Sequence, residues 1–251
     1  MVRLSQSRLP TLRDIEAAEG RIRRYFPPTP LEYSKGVSDL LGRSVYLKLE
    51  TALPIRVFKL RGALNKLQTL PESTLKRGVI TASSGNHGFA IAYVSKLLGV
   101  SATVCVPENV NPQKLRAIEE QGAEIIRQGR GYDEAYEHAM DTARKRGLDF
   151  IHAFNDPDII AGQGTCGLEI SRQLPDLDAA AVAIGGGGLI SGIAIALRRQ
   201  SLESACTGLR QWRYLPCTNP SGRVLFTGLT RSPPSQTECS RPSLGNSLSS
   251  P

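Results

Sequence analysis

Apolar and polar positions along the chain repeat at two spacings, one of two residues and one of three to four. The first element predicted is a helix from Leu12 to Arg24, capped by Thr11 and carrying Asp14 in its first turn. Pro27, Pro28 and Pro30 end it and force an extended passage. Ser34 opens a short helix to Leu41, closed by Gly42. From Ser44 to Glu50 the residues alternate, with Val45, Leu47 and Leu49 on one side and Tyr46, Lys48 and Glu50 on the other, which predicts a strand. Arg61 to Leu70 then reads as a helix with Leu64 and Leu67 turned inward.

Beyond residue 77 the pattern becomes strand, loop, helix, repeated. Strands are predicted from Gly78 to Ala82, Ala102 to Val106, Glu124 to Arg127, Phe150 to Ala153 and Ala179 to Ile184. The last of these is unbroken and apolar, as a buried parallel strand should be. Helices fall between them, from Phe89 to Leu98, Pro112 to Gln121, Tyr132 to Arg146 and Ile159 to Leu174, with a final one from Ile190 to Arg199. Gly162, Gly164 and Gly167 interrupt the fourth of these and are expected to allow close packing or a kinked start. Strands alternating with helices imply an α/β fold with parallel sheets.

Composition narrows the class. The 251 residues allow one large domain or two small ones, and an apolar fraction of 40% is ordinary for a globular chain. Apolar runs are strand-length, so no membrane span is predicted. The start of the chain has no apolar core of a secretory signal, and a cytoplasmic location is inferred. Five cysteines lack CxxC spacing, which argues against a zinc site or a disulfide framework, and no metal is expected. The net charge of +8 comes without basic stretches interleaved with aromatics, so nucleic acid is not an expected partner.

Three stretches carry candidate chemistry. Phe58-Lys59-Leu60-Arg61-Gly62-Ala63 places a lone lysine between apolar neighbours. Ser83-Ser84-Gly85-Asn86-His87-Gly88 joins a predicted strand to a helix with small hydroxyl residues. Gly185-Gly186-Gly187-Gly188-Leu189 joins the apolar strand to the next helix, where bare amides and the helix dipole can bind a phosphate. Taken singly, these are a snorkelling lysine, a turn and a linker. In this order and setting they suggest a bound aldehyde cofactor that carries a phosphate.

With Ala161-Gly162-Gln163-Gly164-Thr165, these stretches resemble the motifs of fold-type II pyridoxal-phosphate enzymes, nearest to the threonine/serine dehydratase branch that also contains serine racemases. The likeness runs over about residues 20 to 199. It implies a two-domain, tryptophan synthase β-like fold. Residues 20–60 and 155–200 would form the large cofactor-binding domain, and residues 61–154 the small α/β domain. It also implies pyridoxal 5'-phosphate as cofactor, an amino acid as substrate, and elimination of the β-hydroxyl to give a 2-oxo acid and ammonia.

By resemblance Lys59 is the Schiff-base lysine and moves the α-proton. Phe58 would lie against the cofactor ring, with plain core packing as the alternative. Gly185, Gly186, Gly187, Gly188 and Leu189 would hold the phosphate, and Asn86 would bond the ring hydroxyl. Ser83, Ser84, Gly85, Asn86 and His87 would bind the substrate carboxylate. Ser84 is equally a candidate second proton carrier, and His87 is expected to contribute its backbone and a structural hydrogen bond. Asn155 resembles a position near the cofactor.

The sequence departs from the family in two places. Ile55-Arg56-Val57 stands where Thr-Gly-Ser is common, and nothing after Arg198-Arg199 matches the family's continuing strands. A frameshifted or mis-spliced ending, or a pseudogene product, is therefore expected. Residues 201–251 would be a disordered tail, the large domain incomplete, and the apolar faces of Ala179 to Ile184 and Ile190 to Leu197 exposed. The alternatives carried alongside are a catalytically dead relative and a racemase or lyase of another β-hydroxy amino acid. Homo-oligomerisation is left open.

Overall fold

A computed structural model describes residues 8–198 and two strands beyond them, at 205–209 and 224–227. The described residues form two sheets with helices packed around them. The smaller sheet has the order β5-β4-β3-β6, built from β3 (Val79–Ala82), β4 (Ala102–Val106), β5 (Glu124–Arg127) and β6 (Asp149–Phe150). All of its pairings are parallel. Its crossovers are the helices α5 (Asn86–Leu98), α6 (Pro112–Glu119) and α7 (Tyr132–Arg146). β3 and β4 are buried along their whole length, as expected of central strands covered on both faces.

The larger sheet has the order β1-β2-β9-β7-β8. It comprises β1 (Leu31–Tyr33), β2 (Val45–Lys48), β7 (Ala179–Ala183), β8 (Ala205–Leu209) and β9 (Val224–Thr227). Only the β1–β2 pair is antiparallel. β8 and β9 lie within 201–251; the other residues of that tail, on which the expectation of disorder falls, lie outside those described. With β8 and β9 flanking β7, Ala180, Ala181 and Val182 are buried, and so are Leu189, Ile193, Ala196 and Leu197. Of the apolar stretches expected to be bare, Ala183 is exposed and Ile190, Ala194 and Ile195 are half-buried. Among the described residues no helix is long and apolar enough to cross a membrane.

The helices α1 (Leu12–Ile22), α3 (Lys59–Thr69), α8 (Pro157–Gln173) and α9 (Gly188–Leu197) fill the space around the two sheets. Thr11 and Asp14 form a reciprocal capping box at the start of α1. The glycines of α8 allow close approach rather than a kink. A Cβ at Gly162 would lie 2.6 Å from the Arg61 carbonyl oxygen, and one at Gly167 would lie 2.8 Å from Ala196. Two short helices, α2 (Lys35–Leu41) and α4 (Glu72–Arg77), complete the described fold. Periodicity does not predict the second of these.

Alternation along β2 misleads about burial. Lys48 and Glu50 are both buried, Glu50 in a single 3-10 turn, Glu50–Ala52. They join a four-charge cluster with Arg61 of α3 and Glu169 of α8. Arg61 donates to both Glu50 oxygens at 2.7 and 2.8 Å and to both Glu169 oxygens at 2.8 and 2.9 Å. Lys48 reaches Glu169 at 2.7 Å. Burial alone would raise the Glu169 carboxyl, but hydrogen bonds from Arg61 and the nearby cations bring it down to about 2. Removing one member would strand a buried charge, at a cost of about 3–5 kcal/mol. The cluster clamps α3 two residues after Lys59.

Candidate active site

Lys59 is the first residue of α3, and its neighbours Leu60 and Val57 are buried. Its side chain is half-buried and its Nζ donates to the Ala153 carbonyl at 2.7 Å. The amine also lies 5.4 Å from the centroid of the Phe58 ring. Burial disfavours the charged form and lowers the Lys59 amine to about 8. A lysine in this state is partly unprotonated near neutrality and is a competent nucleophile toward an aldehyde.

The glycine stretch closes the C-terminal end of β7 and starts α9. Gly187 is the N-cap, with φ of +89°, a left-handed backbone that favours glycine. No side chain caps this helix, so its first amides point outward without an intrahelical partner. A Cβ on Gly185 would meet nothing within 4 Å, whereas one on Gly186 would lie 2.2 Å from Cγ of Phe154. The loop is therefore open on one side and walled by an aromatic ring on the other. That is the shape of a cradle for a phosphate.

The Ser83–Gly88 stretch is shorter as a loop than the sequence suggests. α5 begins at Asn86, so Asn86, His87 and Gly88 are its first turn, again without a side-chain cap. Ser83 Oγ accepts from the Gly85 amide at 3.2 Å. A Cβ at Gly88 would lie 2.3 Å from the Ser83 carbonyl oxygen, so the turn closes tightly on itself. Ser83, Ser84 and Asn86 are half-buried and Gly85 is exposed. His87 is buried, with Nε2 3.4 Å from the Ile151 carbonyl oxygen and Nδ1 without a partner among the described residues. Burial first, and the charge of Lys59 second, push its imidazole down to about 3. It is a neutral ring, in keeping with a structural role rather than a proton relay.

Lys59, His87, the 152–154 segment and Gly186–Gly188 thus come together. Two expected members sit differently. The Leu189 side chain belongs to the core of the larger sheet, and only its amide, second in α9, can serve a ligand. Phe58 packs against that same core while flanking the lysine. Asn155 is exposed, and its amide donates to His152 Nδ1 at 2.9 Å. Nothing in the sequence signals Ala153, whose contribution is a backbone carbonyl, or the Phe154 wall. The strand predicted from Phe150 to Ala153 ends at Phe150, which frees this segment to turn under the glycines. Among the described residues no group of three or more His, Cys, Asp or Glu is placed to hold a metal ion.

The arrangement fits a phosphate-bearing aldehyde. It offers a desolvated amine, a glycine cradle with free amides, and a second helix N-terminus lined with hydroxyls. Comparisons with known proteins point the same way. Residues 22–221 match the family profile described as pyridoxal-phosphate dependent enzyme. The L-threonine ammonia-lyase of Thermotoga maritima is 41% identical over 200 residues, which is 80% of this chain and 50% of that protein. The L-threonine ammonia-lyase of Geobacter sulfurreducens is 46% identical over 184 residues, covering 73% of this chain and 46% of the relative. The chain thus spans about half the length of the curated relatives it matches. Among solved structures, the processed form of threonine deaminase isoform 2 from Solanum lycopersicum superposes with a TM-score of 0.75 at 38% identity. That match covers 78% of this chain and 57% of the deaminase.

Proposed function

The chain belongs to the pyridoxal-phosphate dependent enzyme family, and from that membership we propose that it eliminates the β-hydroxyl of L-threonine or L-serine. The products are a 2-oxo acid and ammonia. The observation that carries the reading is Lys59 Nζ, a half-buried amine lowered to about 8 and held by the Ala153 carbonyl beside the glycine cradle. Relatives named threonine ammonia-lyases, at 41% and 46% identity, support the choice of substrate class.

Bound pyridoxal phosphate would supply the electron sink that makes the substrate's α-proton removable. The chain supplies the rest. Outward amides of Gly188 and Leu189, with the dipole of α9, bind the phosphate. Lys59 Nζ would hold the cofactor aldehyde and would be the base for the substrate's α-proton. The Ser83 and Ser84 hydroxyls and the first amides of α5 would bind the substrate carboxylate, and Asn86 would hold the ring hydroxyl. Ser84 is the second candidate proton carrier. The β-hydroxyl would leave as water with the proton that Lys59 has taken up, water would then add to the released enamine, and ammonia would depart. The proposal keeps the cytoplasmic location expected from the sequence and leaves homo-oligomerisation open.

The test is chemical labelling. The full chain is loaded with pyridoxal 5'-phosphate, reduced with borohydride and mapped by mass spectrometry. The label is expected on Lys59, and Lys59→Ala should lower 2-oxobutanoate formation from threonine by about a thousandfold or more. A label on another lysine, or undiminished turnover in the variant, defeats the reading.

A further inference from the structure

The segment beneath the glycine cradle turns on one side chain that no sequence motif marks. His152 follows β6 by two residues, and its Nδ1 accepts hydrogen bonds from the Phe154 amide at 3.2 Å and the Asn155 amide at 2.9 Å. Its ring meets the Phe154 ring edge-on, with centroids 4.6 Å apart and planes at 88°. Phe150 and Tyr136 border the same imidazole at 6.5 and 6.2 Å. The turn so formed has two outputs. The Ala153 carbonyl, inside it, receives the Lys59 amine. The Phe154 ring occupies the space where a Gly186 side chain would stand, and its carbonyl oxygen lies 3.1 Å from the Cβ position of Gly188.

Backbone amides only donate, so an Nδ1 that accepts two of them carries no proton, and the neutral ring must carry its proton on Nε2. We infer that His152 is a positioning residue: as a neutral acceptor it fixes the turn that offers a carbonyl to Lys59 and a wall to the phosphate cradle. The electrostatic setting agrees. Burial, and then the charge of Lys59, disfavour the imidazolium, while Asp156 works the other way, and the net effect is a lowered His152. The neighbouring His87 is itself neutral. A protonated His152 would turn Nδ1 from acceptor to donor and set it against two N–H groups. The inference rests on the reading of Gly185–Gly188 as a phosphate site.

A space-filling role and an acceptor role predict different variants. Pyridoxine 5'-phosphate carries an alcohol in place of the aldehyde, so it reads the cradle without bonding to Lys59. Its affinity for the full chain is measured in the wild type, His152→Asn and His152→Leu. The Asn carbonyl can accept from amides two and three residues on, as in an Asx-turn, and should keep affinity within about threefold. The Leu variant fills the space but leaves both amides unpaired, and should lose about tenfold or more. Equal affinities of the two variants would overturn the inference. Nitrogen NMR of the wild-type imidazole provides an independent measurement, valid even where the Leu variant fails to fold. An unprotonated Nδ1 is expected at neutral pH, and a protonated one overturns the assignment. Failure of the wild type to bind pyridoxine 5'-phosphate would sink the phosphate reading instead, and the NMR result would still decide the acceptor role of His152.

Discussion

Two strand-to-helix junctions face the same lysine neighbourhood and solve different problems. One runs from β3 into α5 and the other from β7 into α9, each ending in a helix N-terminus without a side-chain cap. Both therefore present bare amides and the positive end of a helix dipole. The α5 junction keeps its side chains, Ser83, Ser84 and Asn86, around that charge. The α9 junction discards them, and where one could return at Gly186 the Phe154 ring is in the way. The contrast separates two kinds of anion recognition. A phosphate, with three oxygens, suits a ring of amides that can come close from several directions. A planar carboxylate on a substrate that must also be oriented gains from hydroxyls aimed at it.

The largest expected effect breaks this contrast directly. Gly186→Ala drives a methyl group into Phe154 and should weaken pyridoxal phosphate binding by about 2 kcal/mol, roughly thirtyfold. Ser83→Ala should change it by less than about threefold. Comparable losses in both, measured by titrating cofactor absorbance, would mean that the junctions are not specialised.

A smaller effect concerns the amine between them. Only unprotonated Lys59 attacks the cofactor aldehyde, so the rate of attachment should climb with pH and level off just above 8. An ordinary solvated lysine would keep climbing to about 10.4. A stopped-flow profile still rising at pH 10 would show that the amine is not desolvated.

The smallest effect lies outside both junctions. Arg56 is the non-glycine residue with a positive φ among the described residues, +57°, at the place where the related motif has glycine. This is a left-handed conformation that a side chain disfavours. Arg56→Gly should raise stability by about 0.5–1 kcal/mol in urea unfolding, the relieved strain being partly offset by the extra freedom of the unfolded chain. Cofactor affinity should stay unchanged, and a shift there would extend the site to this turn.

Much of this arrangement can be read from the sequence, because the residues that form it follow simple periodicities. The segment from Gly78 to Arg146 is legible as strands and helices since β3 and β4 are largely apolar runs and each helix has its own stripe. The lysine, the serine loop and the glycines are legible as chemistry because their side chains, or lack of them, are unusual for their settings. Contributions made by backbone atoms are not legible: the Ala153 carbonyl has no signature in an alanine. Lys48 and Glu50 look like the polar side of a strand because burial of a charge depends on partners far along the chain, here Arg61 and Glu169. α4 is hidden by its length of six residues. The strands β8 and β9 escape detection because their surroundings are rich in Ser, Pro and Gly, and pairing with β7 and β2 outweighs local composition.

The clamp on Arg61 also has a temporal side. Its partner Glu169 lies 108 residues downstream. While the polypeptide emerges from the ribosome, the guanidinium can meet only Glu50 and Thr29 among its final partners. The clamp can close only when α8 has been synthesised and docked.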